Sequence, residues 1–125
     1  MHRVWILTGS LAGFASVAGG AFGAHALRTR LAPELLTTFE TGARYAGIHA
    51  LALLAVGLLA ERGASRALQV AGVGFSLGIL LFTGSLWALA LSGIRGLGAI
   101  TPFGGVSLLV GWLALGLAAR RWPGA

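Results

Sequence analysis

The sequence contains no cysteine, no aspartate and no lysine, and Met1 is its only methionine. The lack of cysteine excludes disulfides, thiolate metal sites and cysteine nucleophiles, and a single methionine excludes a thioether copper site. No G-x-S-x-G motif occurs, and no serine has an evident base near it in the sequence. These absences predict a protein that is not an enzyme and that has no metal site and no cofactor.

The sequence is instead rich in long hydrophobic runs, at residues 4–24, 46–60, 68–91 and 100–119. Hydrophobic residues make up 57% of the 125-residue chain, and its mean hydropathy is +0.88. A helix needs roughly 20 apolar residues to cross a bilayer. Three runs are long enough alone, and the second becomes so when it is extended back to about residue 41. We therefore predict an all-α fold, an integral membrane four-helix bundle in which residues 1–125 form a single transmembrane domain. The predicted helices span about 4–24, 42–60, 66–91 and 102–119.

The net charge of +6 comes from nine arginines and three glutamates. The arginines lie singly or in pairs at the ends of the hydrophobic runs, where they contact anionic headgroups and set the topology. They form no basic patch, so we expect membrane lipids and not nucleic acid as partners. With four crossings, five arginines fall on the side of the termini and four on the other. This bias is small, and it favours termini in the cytoplasm.

Further signals lie at the ends of the runs. Trp5, Trp112 and Trp122 are candidates for the aromatic belt at the membrane interface. Thr101 and Pro102 predict a helix start, with the threonine as N-cap and the proline at the first helical position.

A short amphipathic segment at about 33–41 precedes the second run. Pro33 can open a helix, and apolar residues fall on one side of the segment, so we expect it to lie at the membrane interface. It either continues into the second membrane helix or breaks near Thr37, which forms a capping box with Glu40. The sequence leaves both alternatives open.

Glycines repeat at the spacing that lets membrane helices pack closely. The GxxxG pairs are Gly9 with Gly13, Gly19 with Gly23, and Gly74 with Gly78. Two interpretations remain open. The glycines pack the four helices of one chain together, or they form the seam of a homo-oligomer or the contact with a membrane protein partner.

The topology brings most of the unusual polar residues to one membrane face. This candidate polar cluster consists of His25, Glu40, Arg44, Tyr45, His49 and Thr101. Glu40 and Arg44 have the spacing of a helical ion pair. A lone histidine such as His49 is typically bonded to a neighbouring carbonyl or hydroxyl, and it can also bind haem with His25, or a metal with His25 and Glu40. A ligand or proton site is a further alternative.

Six segments, taken together and in order, resemble a known family. They are GAFGAHAL at 20–27, TGARY at 41–45 with HALALL at 49–54, FTGSL at 82–86, and ITPFGG at 100–105 with GW at 111–112. The chain resembles the domain of unknown function 423 family of small membrane proteins, which includes bacterial inner-membrane proteins and, more distantly, eukaryotic transmembrane protein 256. The resemblance covers nearly the whole chain.

This resemblance implies a four-helix protein of the bacterial inner membrane with no assigned activity, and it supplies no catalytic residues. The family's characteristic positions correspond here to His25, Gly42, Tyr45, His49, Thr101, Pro102, Gly104 and Gly105. Many members have glutamine at Ala46 and tyrosine at Trp87. Some carry an acid at Arg44, which argues against a mechanism that needs the charge of this residue.

Two hypotheses for function follow. The first is a non-enzymatic accessory or organising component, favoured by the absence of a soluble domain and by the glycine-lined helices. The second is a protein that binds or transports a small ligand, a lipid or protons, with its site on the membrane face of His25 and His49. A lipid- or quinone-modifying enzyme has the least support.

Overall fold

The structure is a computed structural model that describes residues 2–121. Most of these residues lie in four α-helices, and each helix is long and apolar enough to cross a membrane. No β-strand occurs within residues 2–121. The predicted all-α membrane bundle is therefore confirmed. The helices are α1 His2–Phe22, α2 Pro33–Arg62, α3 Arg66–Ser92 and α4 Thr101–Ala118.

Three short helical turns join or extend these helices. A π-helical turn, Gly23–Leu27, lengthens α1. A 3-10 turn, Arg95–Ala99, leads from α3 towards α4, and another, Ala119–Arg121, follows α4. Trp122, which the sequence makes a candidate for the aromatic belt, lies outside the described residues.

Successive helices run antiparallel. Gly9 near the start of α1 lies against α2 at Leu53, whereas Gly23 beyond its end lies against Phe39. The same reversal relates α3 to α4, because Gly74 lies against Gly111 and Gly78 against Leu108. The start of α1 and the end of α4 therefore lie at the same end of the bundle. We call it the terminal end, and it also carries the turn between α2 and α3.

The second helix is continuous from Pro33 to Arg62, so the amphipathic segment at 33–41 is its first turns and not a separate helix. Thr37 does not cap a break, because its hydroxyl donates to the carbonyl of Pro33, four residues earlier. Phe39 is buried with Leu27 and Ala90, which anchors this part of α2 to the neighbouring helices. A 30-residue helix is about 45 Å long and exceeds the roughly 30 Å hydrocarbon layer. Its ends therefore extend into the headgroup region.

Local chemistry explains where α3 and α4 begin and end. Ser65 caps α3 by accepting a hydrogen bond from the Leu68 amide, and Gly93 ends it with a φ of 73°. That left-handed conformation suits glycine, because a side chain would clash there. Thr101 does not act as the predicted N-cap. It is the first residue of α4, and its hydroxyl lies 2.6 Å from the hydroxyl of Ser85 on α3.

All six glycines of the GxxxG pairs face another part of the same chain. Gly9 and Gly13 lie against α2, Gly19 against Trp87 of α3, and Gly23 against Phe39. In α3, Gly74 and Gly78 lie against α4. At Gly74 an added Cβ atom would lie 3.1 Å from the Cα atom of Gly111, so the two backbones are in contact. The glycines therefore bring the helices of one chain close together, as small residues do in lipid.

Large apolar side chains divide between a buried core and an exposed outer surface. Phe75, Leu53 and Val56 are fully buried. Phe14 on α1 and Leu113 on α4 are more than 70% exposed, which suits a protein whose solvent is lipid. Trp5 is not at the surface as the aromatic-belt interpretation predicts. It is 8% exposed, and it packs against Gly72.

Two glycines of α4 provide a test of this packing. An added Cβ atom at Gly104 would lie 2.8 Å from the Cα atom of Phe82, and backbone cannot move aside as a side chain can. At Gly116 nothing lies within 4 Å. We expect Gly104→Ala to lower the free energy of unfolding by about 2 kcal/mol or more. Gly116→Ala should leave it unchanged or raise it by up to about 1 kcal/mol. Unfolding in mixed micelles, followed by circular dichroism, measures both, and equal effects would contradict the described α3–α4 contact.

Candidate functional site

His49 lies at the centre of the most connected polar site in the bundle. It projects from α2, and only 4% of its surface is exposed. Its Nδ1 atom lies 2.7 Å from the carbonyl oxygen of Tyr45, one turn earlier. The indole N–H of Trp112, on α4, donates to its Nε2 atom at 3.0 Å. This imidazole therefore links α2 to Trp112 of α4, which lies 63 residues further along the chain.

These two contacts determine the tautomer of His49. The indole nitrogen of tryptophan can only donate, so Nε2 must be the unprotonated acceptor. The proton of the neutral ring is then on Nδ1, which donates to the Tyr45 carbonyl. Both nitrogens are engaged. A metal, a haem or a transferred proton could reach Nε2 only if the bond to Trp112 were broken.

Aromatic rings surround the imidazole. We call Tyr45, His49, Phe75, Phe82 and Trp112 the aromatic cluster. The ring of His49 lies 5.7 Å from those of both Phe75 and Trp112, and these two rings meet edge to face at 5.1 Å. Tyr45 stacks on Phe82 at 4.6 Å. Such pairs contribute about 0.5–1.5 kcal/mol each beyond their buried area. The cluster therefore joins α2, α3 and α4 by packing as well as by hydrogen bonds.

A second set of polar contacts holds the first half of α2. Three acceptors within one stretch of this helix, the backbone carbonyls of residues 39, 42 and 43, each receive a side-chain donor from another helix. The donor–acceptor distances are 2.9, 2.7 and 2.6 Å, for Trp87 to Phe39, Thr83 to Gly42 and Ser16 to Ala43. Hydrogen bonds between membrane helices average about 0.6 kcal/mol each. We call these three contacts the carbonyl row.

Trp87 occupies a slot that glycines create. An added Cβ atom at Gly42 would lie 3.0 Å from the indole of Trp87, and one at Gly19 would lie 2.5 Å from it. The indole also stacks on Phe39, with the ring centroids 5.0 Å apart. One side chain of α3 therefore lies between α1 and α2, and its indole N–H donates to the Phe39 carbonyl of the carbonyl row.

The structure divides the candidate polar cluster predicted from the sequence. Only Tyr45 and His49 lie together. His25, Glu40 and Arg44 are exposed, and within residues 2–121 none of them forms a hydrogen bond or an ion pair. The predicted Glu40–Arg44 ion pair is therefore absent from the described chain. The physical reason is that both side chains reach out from the helix, where solvation and headgroups compete with a weak pairing.

The described chain does not bring together the residues that the metal and haem alternatives require. Within residues 2–121 no group of three or more histidine, cysteine, aspartate or glutamate side chains could hold a metal ion. No hydrogen bond or ring contact joins His25 to His49, whose nitrogens have other partners.

Two open cavities lie away from the predicted site. Both are at the terminal end, between the α2–α3 turn and the end of α4. Their volumes are about 550 and 640 Å³. The ligand-binding hypothesis predicts an open pocket on the face of His25 and His49, and neither of these cavities is there.

Sequence reasoning missed the donors that make the site. It made Trp112 a candidate for the interfacial belt, and it predicted no hydrogen bond from Trp87, Thr83 or Ser16. One signal was available. An indole N–H within a hydrophobic run needs an acceptor inside the protein, and His49 is the histidine within another such run.

Comparisons with known proteins match this chain to a family of membrane proteins. Residues 19–105 match the family model described as "Protein of unknown function (DUF423)". A UPF0382 membrane protein of Staphylococcus saprophyticus is 44% identical over 115 residues, which covers 90% of this chain and 93% of the relative. The UPF0382 inner membrane protein YgdD of Escherichia coli is 38% identical over 119 residues, covering 95% and 91%.

The UPF0382 membrane protein YwdK of Bacillus subtilis is 37% identical over 121 residues, covering 96% of this chain and 98% of the relative. No solved structure matches the chain. The names of these relatives state that they are membrane proteins, and YgdD is named an inner membrane protein.

A double-mutant cycle tests the bond between His49 and Trp112. We expect His49→Phe and Trp112→Phe each to destabilise the bundle, because each leaves the other polar group without its partner. The double variant should lose less than the sum, with a coupling of about 1 kcal/mol. Unfolding free energies of the four proteins in mixed micelles give the coupling. Strict additivity would mean that the bond contributes nothing.

Proposed function

The chain belongs to the family of proteins of unknown function DUF423, in which a relative is named an inner membrane protein, and we propose that it is a non-enzymatic accessory or organising component of the bacterial inner membrane. The observation that carries this proposal is that the polar groups around His49 bond to one another and leave no open site for a ligand. His49 is buried, its Nε2 atom is bonded to Trp112 of α4, and its Nδ1 atom is bonded to the Tyr45 carbonyl of its own helix.

A binding or transport site would need a different arrangement. Ionisable groups that serve such sites in membranes face a water-filled cavity or a pathway. Here Trp112 covers Nε2 of His49 from the side of α4, and its own ring is 44% exposed at the protein surface. The side chains that donate to the carbonyl row also bond to backbone oxygens and do not point into a cavity. The polar chemistry of the bundle therefore supports a structural role.

The outer faces of α1 and α4 support a role that depends on contacts with other membrane components. α1 packs mainly on α2, and α4 mainly on α3, so each of these two helices keeps a broad apolar face. Leu11 and Phe14 are exposed on α1, as are Phe103 and Leu113 on α4. In a bilayer these faces meet lipid or another helix. An accessory subunit would bind its partner through one of them.

The distribution of arginine supports cytoplasmic termini. The terminal end carries five arginines and the opposite end four. Positive charge near membrane helices favours the cytoplasmic side, and we include this orientation in the proposal.

One observation favours the second candidate function, binding or transport of a small ligand, a lipid or protons on the face of His25 and His49. His25 is exposed within the π-helical turn Gly23–Leu27. Isolated π turns occur frequently at functional sites.

Purification at native expression level distinguishes the two functions. We expect the full chain, extracted in mild detergent with its lipids and studied by native mass spectrometry, to carry a stoichiometric protein partner or to form a defined oligomer. His25→Ala should leave that association unchanged. A monomer that carries a reproducible small molecule, which His25→Ala removes without loss of helix content, would contradict the proposal and support the second candidate.

A further inference from the structure

The cavity of about 550 Å³ at the terminal end combines an apolar floor with a cationic rim. Leu59, Leu68 and Leu115 form the floor, and they belong to or pack on the main hydrophobic core. Arg62 and Arg121 stand on the rim. We call it the arginine-rimmed cavity. Its volume falls in the range of sites that bind small molecules.

More positive charge gathers at the same place. The neighbouring cavity shares Ser65, Ala118 and Arg121 with the arginine-rimmed cavity, and it adds Arg66 and Arg120. All four arginines are exposed, and none forms a hydrogen bond or an ion pair within residues 2–121. No acidic residue lines either cavity. The rim is therefore a cluster of four exposed cations.

The depth of the cavity in the membrane limits what can fill it. The apolar spans of α2 and α4 end at Arg62 and Arg121, and that of α3 begins at Arg66. The rim consequently lies at the level of the headgroups, whereas the leucine floor faces the hydrocarbon. A complementary ligand carries an anion at one end and a hydrocarbon chain at the other.

We propose that the arginine-rimmed cavity binds one anionic phospholipid. The guanidinium groups of Arg62 and Arg121 hold the phosphate, and an acyl chain lies over Leu59, Leu68 and Leu115. Arginine suits this role because its planar fork can bind a phosphate through two hydrogen bonds. This proposal goes beyond the proposed function and does not depend on it.

The test measures which lipids the full chain retains. The protein is exchanged into vesicles of equal parts phosphatidylglycerol and phosphatidylcholine with identical acyl chains, extracted mildly, and analysed by native mass spectrometry. We expect one phosphatidylglycerol to remain bound in preference to phosphatidylcholine. The preference should fall roughly fivefold for each arginine removed in Arg62→Gln and Arg121→Gln. The matched control, Arg28→Gln with Arg30→Gln, removes two exposed charges at the opposite end and should leave the preference unchanged.

A second pair of variants tests the cavity without altering any charge. Ala118 lines both cavities, so Ala118→Phe should fill the site and abolish the retained lipid. Ala88→Phe adds the same ring on an exposed part of α3 and should have no effect. Circular dichroism confirms that each variant is folded. The proposal would be overturned if the cavity arginines and the control arginines lowered the preference for phosphatidylglycerol equally, or if Ala118→Phe still retained the lipid. Either result would indicate a general attraction between arginines and headgroups.

Two further outcomes would also overturn it. Binding of inorganic phosphate as tightly as phosphatidylglycerol would show that the rim binds a free anion and that the acyl chain contributes nothing. A preference for phosphatidylglycerol that appears only in a variant truncated after Arg121 would mean that residues 122–125 fill the cavity in the full protein. The readout is lipid mass and not a protein partner, so this proposal and the proposed function can fail separately.

Discussion

A bilayer offers no water to a polar atom, so each donor inside the hydrocarbon needs an acceptor that the protein supplies. In this chain α2 supplies four of the acceptors that side chains of the other helices use, whereas the buried indole N–H of Trp5 has no partner within residues 2–121. The carbonyl row of α2 accepts from α1 and α3, and the one buried histidine of this helix accepts from α4. These bonds join α1, α3 and α4 to the same central helix.

Close backbone contact makes those hydrogen bonds geometrically accessible. Gly42 admits the indole of Trp87, and Gly74 meets Gly111 backbone to backbone, so short side chains can span the gap between helices. Ser107 of α4 reaches the Gly74 carbonyl at 2.8 Å for this reason. Glycine packing and hydrogen bonding therefore act at the same contacts. The result is a closely packed bundle whose polar side chains bond mainly to neighbouring helices.

The number of helices, their approximate bounds and the glycine faces could be predicted from the sequence, because run length and residue spacing are local properties. The partners of His49 and Phe39 could not, since they depend on how α3 and α4 rotate about their axes. The pairing of Glu40 with Arg44 failed for a related reason. Spacing along a helix permits such a pair, but exposure to headgroups removes the advantage of forming it. The arginine-rimmed cavity was missed because the sequence does not show that the α2–α3 turn and the end of α4 bring their arginines to one cavity.

The carbonyl row also bears on how the protein enters the membrane during synthesis. The ribosome delivers α1 and α2 before the segments that carry Thr83, Trp87 and Trp112. The acceptors at residues 39, 42 and 43 are carbonyls of a helix whose backbone groups are already hydrogen-bonded within the helix. The hairpin of α1 and α2 can therefore reside in the bilayer without an unsatisfied backbone amide, while these carbonyls can still accept a second hydrogen bond. Later helices bring their N–H and O–H groups to partners that are already in place. The order in which the helices are synthesised thus matches the order in which their polar groups can be buried at low free-energy cost.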